Sequence, residues 1–221
     1  MDRSEHCFEL LKAGDFDGLG RLLQEHPGAA DARDSNGVSL LMHLIYRGRR
    51  DLAKTVAAQK QQLDIFEAAS LGNIARLQEI LRDSDATRAD SKDGFTALHF
   101  ASYFGQPEAA RILLEKGAKV DAVAANPPRV MPLHSAASAR NLEAARLLLE
   151  RGAPVDARQQ AGWVPIHAAA QNGDRDMVAL LLSHHADTTI TNDDGKTAAT
   201  VARENGHNQI ADFLEHRTTS L

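Results

Sequence analysis

The chain is poor in cysteine, and this scarcity limits the kind of fold. Cys7 is the only cysteine among the 221 residues, so an intramolecular disulfide framework is excluded. Small secreted scaffolds that are stapled by disulfides are thereby ruled out as a class. A single thiol fits a reducing compartment, and we expect a cytoplasmic protein.

The chain also lacks an excess of positive charge and long apolar runs. Its 25 Lys and Arg residues against 30 Asp and Glu residues give a net charge of −5. Such a chain has no positive field that would hold nucleic acid. No stretch reaches the roughly 18 apolar residues of a membrane span, and the charged start MDRSEHCFELLKAGDFDG has no apolar signal segment. We expect a soluble protein that has neither nucleic acid nor membrane as a partner.

Catalytic motifs are missing as well. DGKT at 194–197 resembles the end of a phosphate-binding loop, but the glycine that this loop requires stands as Ile190. GLG at 18–20 follows no predicted strand and lacks the third glycine of a dinucleotide-binding turn. Cys7 stands among apolar residues, which favours a packed thiol over a nucleophile. We predict no catalytic residue and no cofactor.

What the sequence does contain is a period of 33 residues, the spacing that separates His134 from His167. His99 and His134 are 35 residues apart, and the two extra residues fall in VAANPPRV at 123–130. The consecutive prolines of that stretch predict an exposed turn. A fixed period of this length is typical of repeat proteins.

Each repeated unit has the same order of signals. A turn pair such as Asp93-Gly94 comes first, and a threonine such as Thr96 follows at the N-cap position of a helix. Pro132 and Pro165 stand one place later, at the first helical position, where the missing amide costs nothing. A short apolar helix, a glycine and a leucine-rich amphipathic helix such as PEAARILLE complete the unit. Each unit is therefore predicted to contain two helices.

These units resemble ankyrin repeats. TALHFA, MPLHSA and VPIHAA match the family pattern T-P-L-H-x-A, and LLEKGAKVDA and LLERGAPVDA match the stretch that follows it. The resemblance is strong over 90–215 and weaker over 5–89, with about seven repeats of which the first three are degenerate. It implies an all-α fold, an ankyrin repeat solenoid of stacked helix pairs with short β-hairpin loops.

The repeat boundaries predict a single ankyrin repeat domain over 1–221. Its parts are an N-terminal capping repeat (1–35), degenerate repeats (36–89), well-formed repeats (90–190) and a C-terminal capping repeat with a tail (191–221). Gly48 and Gly72 are only 24 residues apart, so we expect the hairpin between them to be missing. At the family's histidine position, the less regular repeats have Met42, Phe66 and Thr200.

The ten histidines raise the alternative of a metal-binding protein or an enzyme. His99, His134 and His167 occur once per repeat at the family's histidine position, where the resemblance implies hydrogen bonds to the backbone and to the neighbouring threonine. Successive ones would lie roughly 10 Å apart, whereas metal ligands must all reach one ion at about 2 Å. The pair His184-His185 ends a predicted helix, and we interpret it as solvated. We predict no metal site and keep the metal or enzyme hypothesis as the alternative.

Large aromatic residues occur outside the aliphatic core positions. The family recognises partners with its hairpin tips and the outer positions of the first helix, so the resemblance implies that aromatic residues there are hot spots of binding. Phe95 and Trp163 follow the turn glycine of a hairpin, whereas Tyr46 and Tyr103 stand two places before a repeat glycine. The predicted partner-binding set is completed by Phe104, by Arg140 in place of a repeat glycine, and by Gln171 and Asn172. Phe95 and Phe104 have the alternative of packing between neighbouring repeats.

The sequence thus predicts a non-catalytic protein–protein interaction module that acts as a monomer. It would bind an unidentified protein partner along its concave face, as a regulatory subunit or as a scaffold. His185 stands where the two preceding repeats have Gly117 and Gly152. We therefore also expect a left-handed backbone conformation at His185.

Overall fold

The computed structural model describes residues 2–82 and 86–218 and divides the chain into two compact units, Met1–Ala68 and Ala69–Leu221. In the described residues there are fourteen α-helices and no β-strand, apart from three isolated antiparallel bridges. The helices are α1 (Arg3–Ala13), α2 (Phe16–Glu25), α3 (Leu40–Tyr46), α4 (Arg50–Gln59), α5 (Ile65–Leu71), α6 (Ile74–Ile80), α7 (Ala97–Tyr103), α8 (Pro107–Glu115), α9 (Pro132–Ser138), α10 (Leu142–Glu150), α11 (Pro165–Gln171), α12 (Arg175–Ser183), α13 (Ala198–Glu204) and α14 (Asn208–Thr218). They follow one another as consecutive helix pairs, which confirms the predicted all-α repeat fold. Within the same residues, none of these helices is long and apolar enough to cross a membrane.

In Met1–Ala68, helices α1, α2 and α3 begin where a short polar side chain accepts from one of their first amides, whereas α4 has no such cap. The Asp15 carboxylate accepts a hydrogen bond from the Gly18 amide at 2.8 Å, and the Ser39 hydroxyl accepts one from the Met42 amide at 3.2 Å. α1 packs on α2, α2 on α4, and α3 on α4. The core residues Leu11, Leu19, Leu23, Leu40, Leu44 and Val56 are at most 3% exposed. Cys7 is buried in α1, and burial raises the pKa of its thiol, so the side chain is a packed thiol as predicted.

The start of α5 corrects one assignment made from the sequence. Because α5 begins at Ile65, its third residue is Glu67, and the position that His99 occupies in α7 does not belong to Phe66. The Glu67 carboxylate accepts from the Asp64 amide at 3.0 Å, and the Asp64 carboxylate accepts from the Glu67 amide at 2.9 Å. The Glu67 side chain is fully buried, and the Lys60 ammonium lies 3.3 Å from it. Carboxylates are rarely buried in proteins, and here the Asp64 amide and the Lys60 ammonium together account for the buried Glu67 side chain.

The connection between α4 and α5 is short, in agreement with the expected loss of a hairpin. It consists of residues 60–64, and no bridge is assigned within it. The loops before α3, α7 and α13 each contain one of the antiparallel bridges: Arg33↔Ser39, Asp90↔Thr96 and Thr191↔Thr197. The predicted hairpins are thus reduced to single bridges at these three places.

In Ala69–Leu221, the helices stack in two rows. In the first row α7 packs on α9, α9 on α11, and α11 on α13, while in the second row α8 packs on α10, and α10 on α12. The second residue of successive first-row helices is Leu98, Leu133 or Ile166, and each of these is at most 1% exposed. Burying one such side chain stabilises the fold by about 1.5–3 kcal/mol. Short helices of seven residues persist here because their apolar faces are covered by their neighbours.

The loop tips of the same unit are joined by backbone hydrogen bonds. The Ala125 amide donates to the Gly94 carbonyl at 2.8 Å, the Gln160 amide to the Pro128 carbonyl at 2.9 Å, and the Asp193 amide to the Ala161 carbonyl at 3.0 Å. Each bond connects the tip before one first-row helix to the tip before the next. These bonds hold the loops together beside the ends of the first-row helices.

Candidate functional site

Three buried histidines link consecutive helix pairs. They are the third residues of α7, α9 and α11: His99, His134 and His167. Each Nδ1 accepts a hydrogen bond from the backbone amide at the start of its own helix, at 3.1–3.2 Å. Each Nε2 lies 2.8–3.1 Å from a carbonyl oxygen of the following loop, in Val130, Ala157 or Lys196. Both ring nitrogens thus bond to the backbone, and Nδ1 of His99 also lies 2.8 Å from the Thr96 hydroxyl, which confirms the structural role.

The protonation state of these rings follows from the same geometry. Because Nδ1 accepts from an amide, the proton of the neutral ring is on Nε2, from where it is donated to the carbonyl. Burial lowers the pKa of His99 and His167, and it lowers the pKa of His134 to about 4. Within the described ranges, no group of three or more His, Cys, Asp or Glu side chains could hold a metal ion.

Aromatic side chains gather along α7, from Phe95 in the loop before it to Phe104 directly after it. The Tyr103 cluster consists of Phe95, Phe100, Tyr103 and Phe104. Phe95 meets Phe100 edge-on with ring centroids 5.8 Å apart, Phe100 stacks on Phe104 at 6.5 Å, and Tyr103 meets Phe104 edge-on at 5.1 Å. Phe100 is buried, Phe95 and Phe104 are half-buried, and 49% of Tyr103 is exposed. The cluster therefore presents the Tyr103 ring on a support of packed aromatic rings.

A shallow cavity of about 390 Å³, the Trp163 pocket, lies between the loop tips and the ends of α9 and α11. It is lined by Pro128, Ser138, Gln159, Gln160, Ala161, Trp163, Ala168 and Gln171. The half-buried Trp163 ring is tilted against the His167 ring, with centroids 5.6 Å apart. Since His167 is itself tied to the backbone at both nitrogens, the indole rests on a rigid support. The pocket joins two of the predicted site residues, Trp163 and Gln171.

The glycine at the end of each first-row helix explains the geometry around Arg140. A Cβ at Gly105 would collide with Asn141, whose side-chain amide crosses the glycine and donates to the Ser102 carbonyl at 3.0 Å. A Cβ at Gly173 would collide with His207, which lies over it in the same way. These glycines leave room for a polar side chain from the next helix pair to satisfy the carbonyls at the helix end.

Arg140 occupies this glycine position in the left-handed conformation, with φ 61°. The residue of the next helix pair that would cross it is Asp174, which has no proton to donate to a carbonyl. The Asp174 carboxylate instead accepts from the Met177 amide at 3.1 Å and lies 3.7 Å from Arg140 Nε. Asn172 supplies the missing donor, because its side-chain amide donates to the Ser138 carbonyl at 3.0 Å and to the Ala137 carbonyl at 3.3 Å. Asn172, which the sequence predicts to bind a partner, thus also has a structural role at the end of α9.

The predicted partner-binding residues therefore fall into groups. Phe95, Tyr103 and Phe104 belong to the Tyr103 cluster, while Trp163 and Gln171 belong to the Trp163 pocket. Arg140 stands two residues beyond Ser138 of that pocket, and its side chain is 59% exposed. Tyr46 is 43% exposed at the end of α3, in the other compact unit.

Sequence reasoning missed most of the pocket lining. Pro128, Gln159, Gln160 and Ala161 come from the two loop tips, which are brought together by the bond between the Gln160 amide and the Pro128 carbonyl. The one available signal was the pair of extra residues before α9, because an insertion in a regular repeat changes the loop. The polar Gln159 and Gln160 carried no periodic signal, so no sequence pattern pointed to them.

Met1–Ala68 has a cavity of its own, of about 460 Å³, between α2 and α4. Its walls include Phe16 and Arg49, and the Arg49 guanidinium lies 3.9 Å above the centre of the Phe16 ring. No sequence pattern predicted this cavity, since Phe16 lies on the second helix of its pair and Arg49 directly precedes such a helix.

Comparison with known proteins agrees with the repeat architecture. The family model described as ankyrin repeats (3 copies) matches residues 65–159 and 133–219. The chain is 40% identical to espin-like protein of Homo sapiens over 57 residues, which are 26% of this chain and 6% of that protein. It is 30% identical to tyrosine-protein kinase HTK16 of Hydra vulgaris over 146 residues, 63% of this chain and 19% of the kinase. It is 48% identical to probable E3 ubiquitin-protein ligase XBOS34 of Oryza sativa subsp. japonica over 52 residues, 24% of this chain and 10% of the ligase.

The chain spans at most 19% of the length of these three relatives. The family model, in contrast, covers well over half of this chain, and its matches include the three histidine-linked helix pairs from α7 to α12. These matches do not confirm the predicted number of seven repeats. With stacked helix pairs, glycine-terminated first helices and histidines at the third helical position, the chain belongs to the ankyrin repeat family.

Proposed function

We propose that this chain is a non-catalytic protein–protein interaction module that binds a partner protein along one face of Ala69–Leu221. That face is made by the loop tips and the ends of the first-row helices. The observation that carries the proposal is the Trp163 pocket, where the only tryptophan of the chain stands half-buried over a rigid support in a cavity of about 390 Å³. Tryptophan and tyrosine are enriched among the residues that dominate binding energy.

The size of the face suits a protein partner. Tyr103 and Trp163 belong to helix pairs with one further pair between them, so they lie roughly 20 Å apart at about 10 Å per packed helix. A typical interface buries about 800 Å² on each partner, a patch that is wide enough to include both residues. A partner that contacts both would gain about 2 kcal/mol or more from each aromatic side chain.

The proposed role is recognition, as a regulatory subunit or a scaffold. Two relatives are named as a kinase and a probable ubiquitin ligase, but this chain matches only a small part of either. The net charge of −5 and the lone buried thiol support a monomer that works in the cytoplasm without binding nucleic acid. We keep as proposals the single domain over 1–221 and its division into capping, degenerate and well-formed repeats.

The proposal is tested with Tyr103 and Trp163 both replaced by alanine. Affinity capture from the native source with the unchanged chain identifies a partner, and the double variant should capture it at least about tenfold less well. Arg146→Ala, on the exposed side of the second-row helix α10, is the control and should capture the partner normally. Circular dichroism should show unchanged helical content in all three proteins. Equal capture by the double variant would contradict the proposal.

The alternative of a metal-binding protein or an enzyme has less support. The three buried histidines bond to the backbone through both ring nitrogens, which leaves no lone pair for a metal ion. Titration with zinc or nickel should therefore leave the melting temperature unchanged. A rise in melting temperature with metal would revive this alternative.

A further inference from the structure

We infer that the Trp163 pocket binds an extended acidic segment of the partner protein, in which a proline or aliphatic side chain lies against the Trp163 ring and a flanking carboxylate pairs with Arg140. This inference rests on the proposed function and names the chemistry of the partner at that site.

The lining of the pocket favours an extended peptide. None of its eight lining residues is charged, and the side chains of Ser138, Gln159, Gln160 and Gln171 carry hydrogen-bond donors as well as acceptors. Such groups match the alternating amides and carbonyls of an extended backbone. About 390 Å³ accommodates one or two side chains but no folded element. The apolar part of the lining, Trp163 with Pro128 and two alanines, suits an uncharged side chain.

The charge beside the pocket favours carboxylates on the ligand. Arg129 directly follows the lining residue Pro128 and is exposed, and Arg140 stands two residues after the lining residue Ser138, with a side chain that is 59% exposed. Asp174 lies 3.7 Å from Arg140 Nε, too far for a hydrogen bond, while its carboxylate is engaged by the Met177 amide. Asp193, whose amide donates to the Ala161 carbonyl, and the following Asp194 bring acidic side chains to the next loop tip. A ligand carboxylate that approaches Arg140 can form the bidentate pair that Asp174 does not.

Backbone strain is concentrated at the same place. In the described residues, four positions other than glycine have a positive φ: Arg129, Arg140, Ala161 and His185. Ala161 lines the pocket, Arg129 follows the lining residue Pro128, and Arg140 stands two residues after the lining residue Ser138. At the position of Arg140, the other first-row helices end with Gly105, Gly173 and Gly206, which adopt this conformation without strain. An arginine costs stability where glycine is unstrained, and what it adds beside the pocket is an exposed guanidinium that glycine lacks.

His185 provides the matched control. It is also left-handed, with φ 66°, but it follows α12 at the far end of the second helix and does not line the pocket. Arg140→Gly and His185→Gly therefore relieve the same kind of strain, and only the first removes a charge beside the pocket.

The experiment uses the full chain as bait for a displayed library of random short peptides, followed by titration of synthetic copies of the selected peptides. Because Trp163 is the only tryptophan, the emission of the chain reports directly on the pocket when the peptides contain none. We expect selected peptides to carry Asp or Glu beside a proline or aliphatic residue, and to shift the Trp163 emission. Arg140→Gly should weaken their binding about tenfold, added salt should weaken it further, and His185→Gly should leave it unchanged.

The outcomes separate this inference from the proposed function. Selection of basic or uncharged peptides, or equal binding by Arg140→Gly, would overturn the acidic class of ligand. Peptides that bind without changing the Trp163 emission would overturn the assignment to the pocket, and selection of no peptide would overturn both parts. In each of these cases, loss of partner capture by the Tyr103 and Trp163 double variant would still support the proposed function.

Discussion

At the residue scale, the three buried histidines make the stability of Ala69–Leu221 sensitive to acid. In the folded protein a backbone amide donates to Nδ1 of each ring. A proton on Nδ1 would face the hydrogen of that amide and break the hydrogen bond, so the folded state binds this proton less readily than the unfolded chain does. The pKa of His134 is about 4 in the folded protein, against about 6.5 for an unperturbed histidine. Between these values the unfolded chain binds a proton that the folded chain does not.

Stability should therefore be fully present above about pH 6.5 and fall as the pH is lowered towards 4. For His134 the loss is on the order of 3 kcal/mol, and His99 and His167 add losses of the same sign. Urea unfolding at a series of pH values measures how steeply the free energy of unfolding falls with pH. In His134→Gln, a glutamine at the third helical position can still accept from the first amide but cannot titrate, so its slope should be shallower. Equal pH dependence of the free energy of unfolding in the unchanged chain and in His134→Gln would show that His134 is not responsible for the loss of stability in acid.

Arg140 and His185 make a second prediction at the residue scale. Each occupies a left-handed backbone position where glycine is unstrained. Arg140→Gly and His185→Gly should each raise the free energy of unfolding by about 1 kcal/mol. The Arg140 variant also loses its contact with Asp174, but a pair at 3.7 Å with an exposed partner contributes little. Thermal unfolding is the measurement, and a lower melting temperature in His185→Gly would mean that its side chain holds the end of α12.

At the scale of elements, α2 contains two glycines with different surroundings. A Cβ at Gly20 meets no atom within 4 Å, whereas a Cβ at Gly18 would collide with the Asp15 carboxylate that caps the helix. Gly20→Ala should therefore stabilise the protein by about 1 kcal/mol through the higher helix propensity of alanine. Gly18→Ala is the matched control. It should stabilise the protein less than Gly20→Ala does, because it disturbs the Asp15 cap. Equal gains in the denaturation midpoint would show that the Asp15 cap contributes nothing.

At the scale of the whole molecule, stability depends on the junctions between helix pairs, because each repeat of a solenoid contacts only its neighbours. The Asn141 side chain joins two pairs by donating to the carbonyls of Ser102 and Tyr103. Asn141→Ala leaves these carbonyls without this donor and should lower the free energy of unfolding by about 1–3 kcal/mol. It should also broaden the urea transition, since the pairs become less coupled.

The control for this junction is Asn205→Ala. The Asn205 side chain donates to the Val201 carbonyl within its own helix pair, at 2.9 Å. Its loss should lower the midpoint without broadening the transition. Circular dichroism and Trp163 fluorescence, recorded on the same samples, compare the whole chain with one helix pair. Identical transition widths in both variants would contradict the role of Asn141 as a junction.

Much of the fold could be read from the chain because its signals are local. The N-cap positions of Thr96 and Thr197, the prolines at the start of α9 and α11, and the left-handed position of His185 all follow from a few neighbouring residues. The predicted hydroxyl cap is present at Thr197, whereas the Thr96 hydroxyl lies 2.8 Å from Nδ1 of His99. The 33-residue period indicated a stacked repeat architecture, since a single repeat cannot bury its apolar face alone. Where the pattern weakened, at α5, the register from Phe66 was wrong by one residue.

Local patterns in the sequence were sufficient for the helix pairs and their boundaries, because propensity, capping and periodicity act over short stretches of chain, whereas the structural role of the histidines was implied by the resemblance to ankyrin repeats. Only the tertiary structure decided the Trp163 pocket and the second task of Asn172. The pocket needs Pro128 and Gln160 to meet across two loop tips, and Asn172 donates to carbonyls of the preceding helix pair because Asp174 cannot. Such contacts join residues about one repeat apart, and they depend on which side chain of the neighbouring repeat lies against each position. No local pattern in a single sequence contains that information.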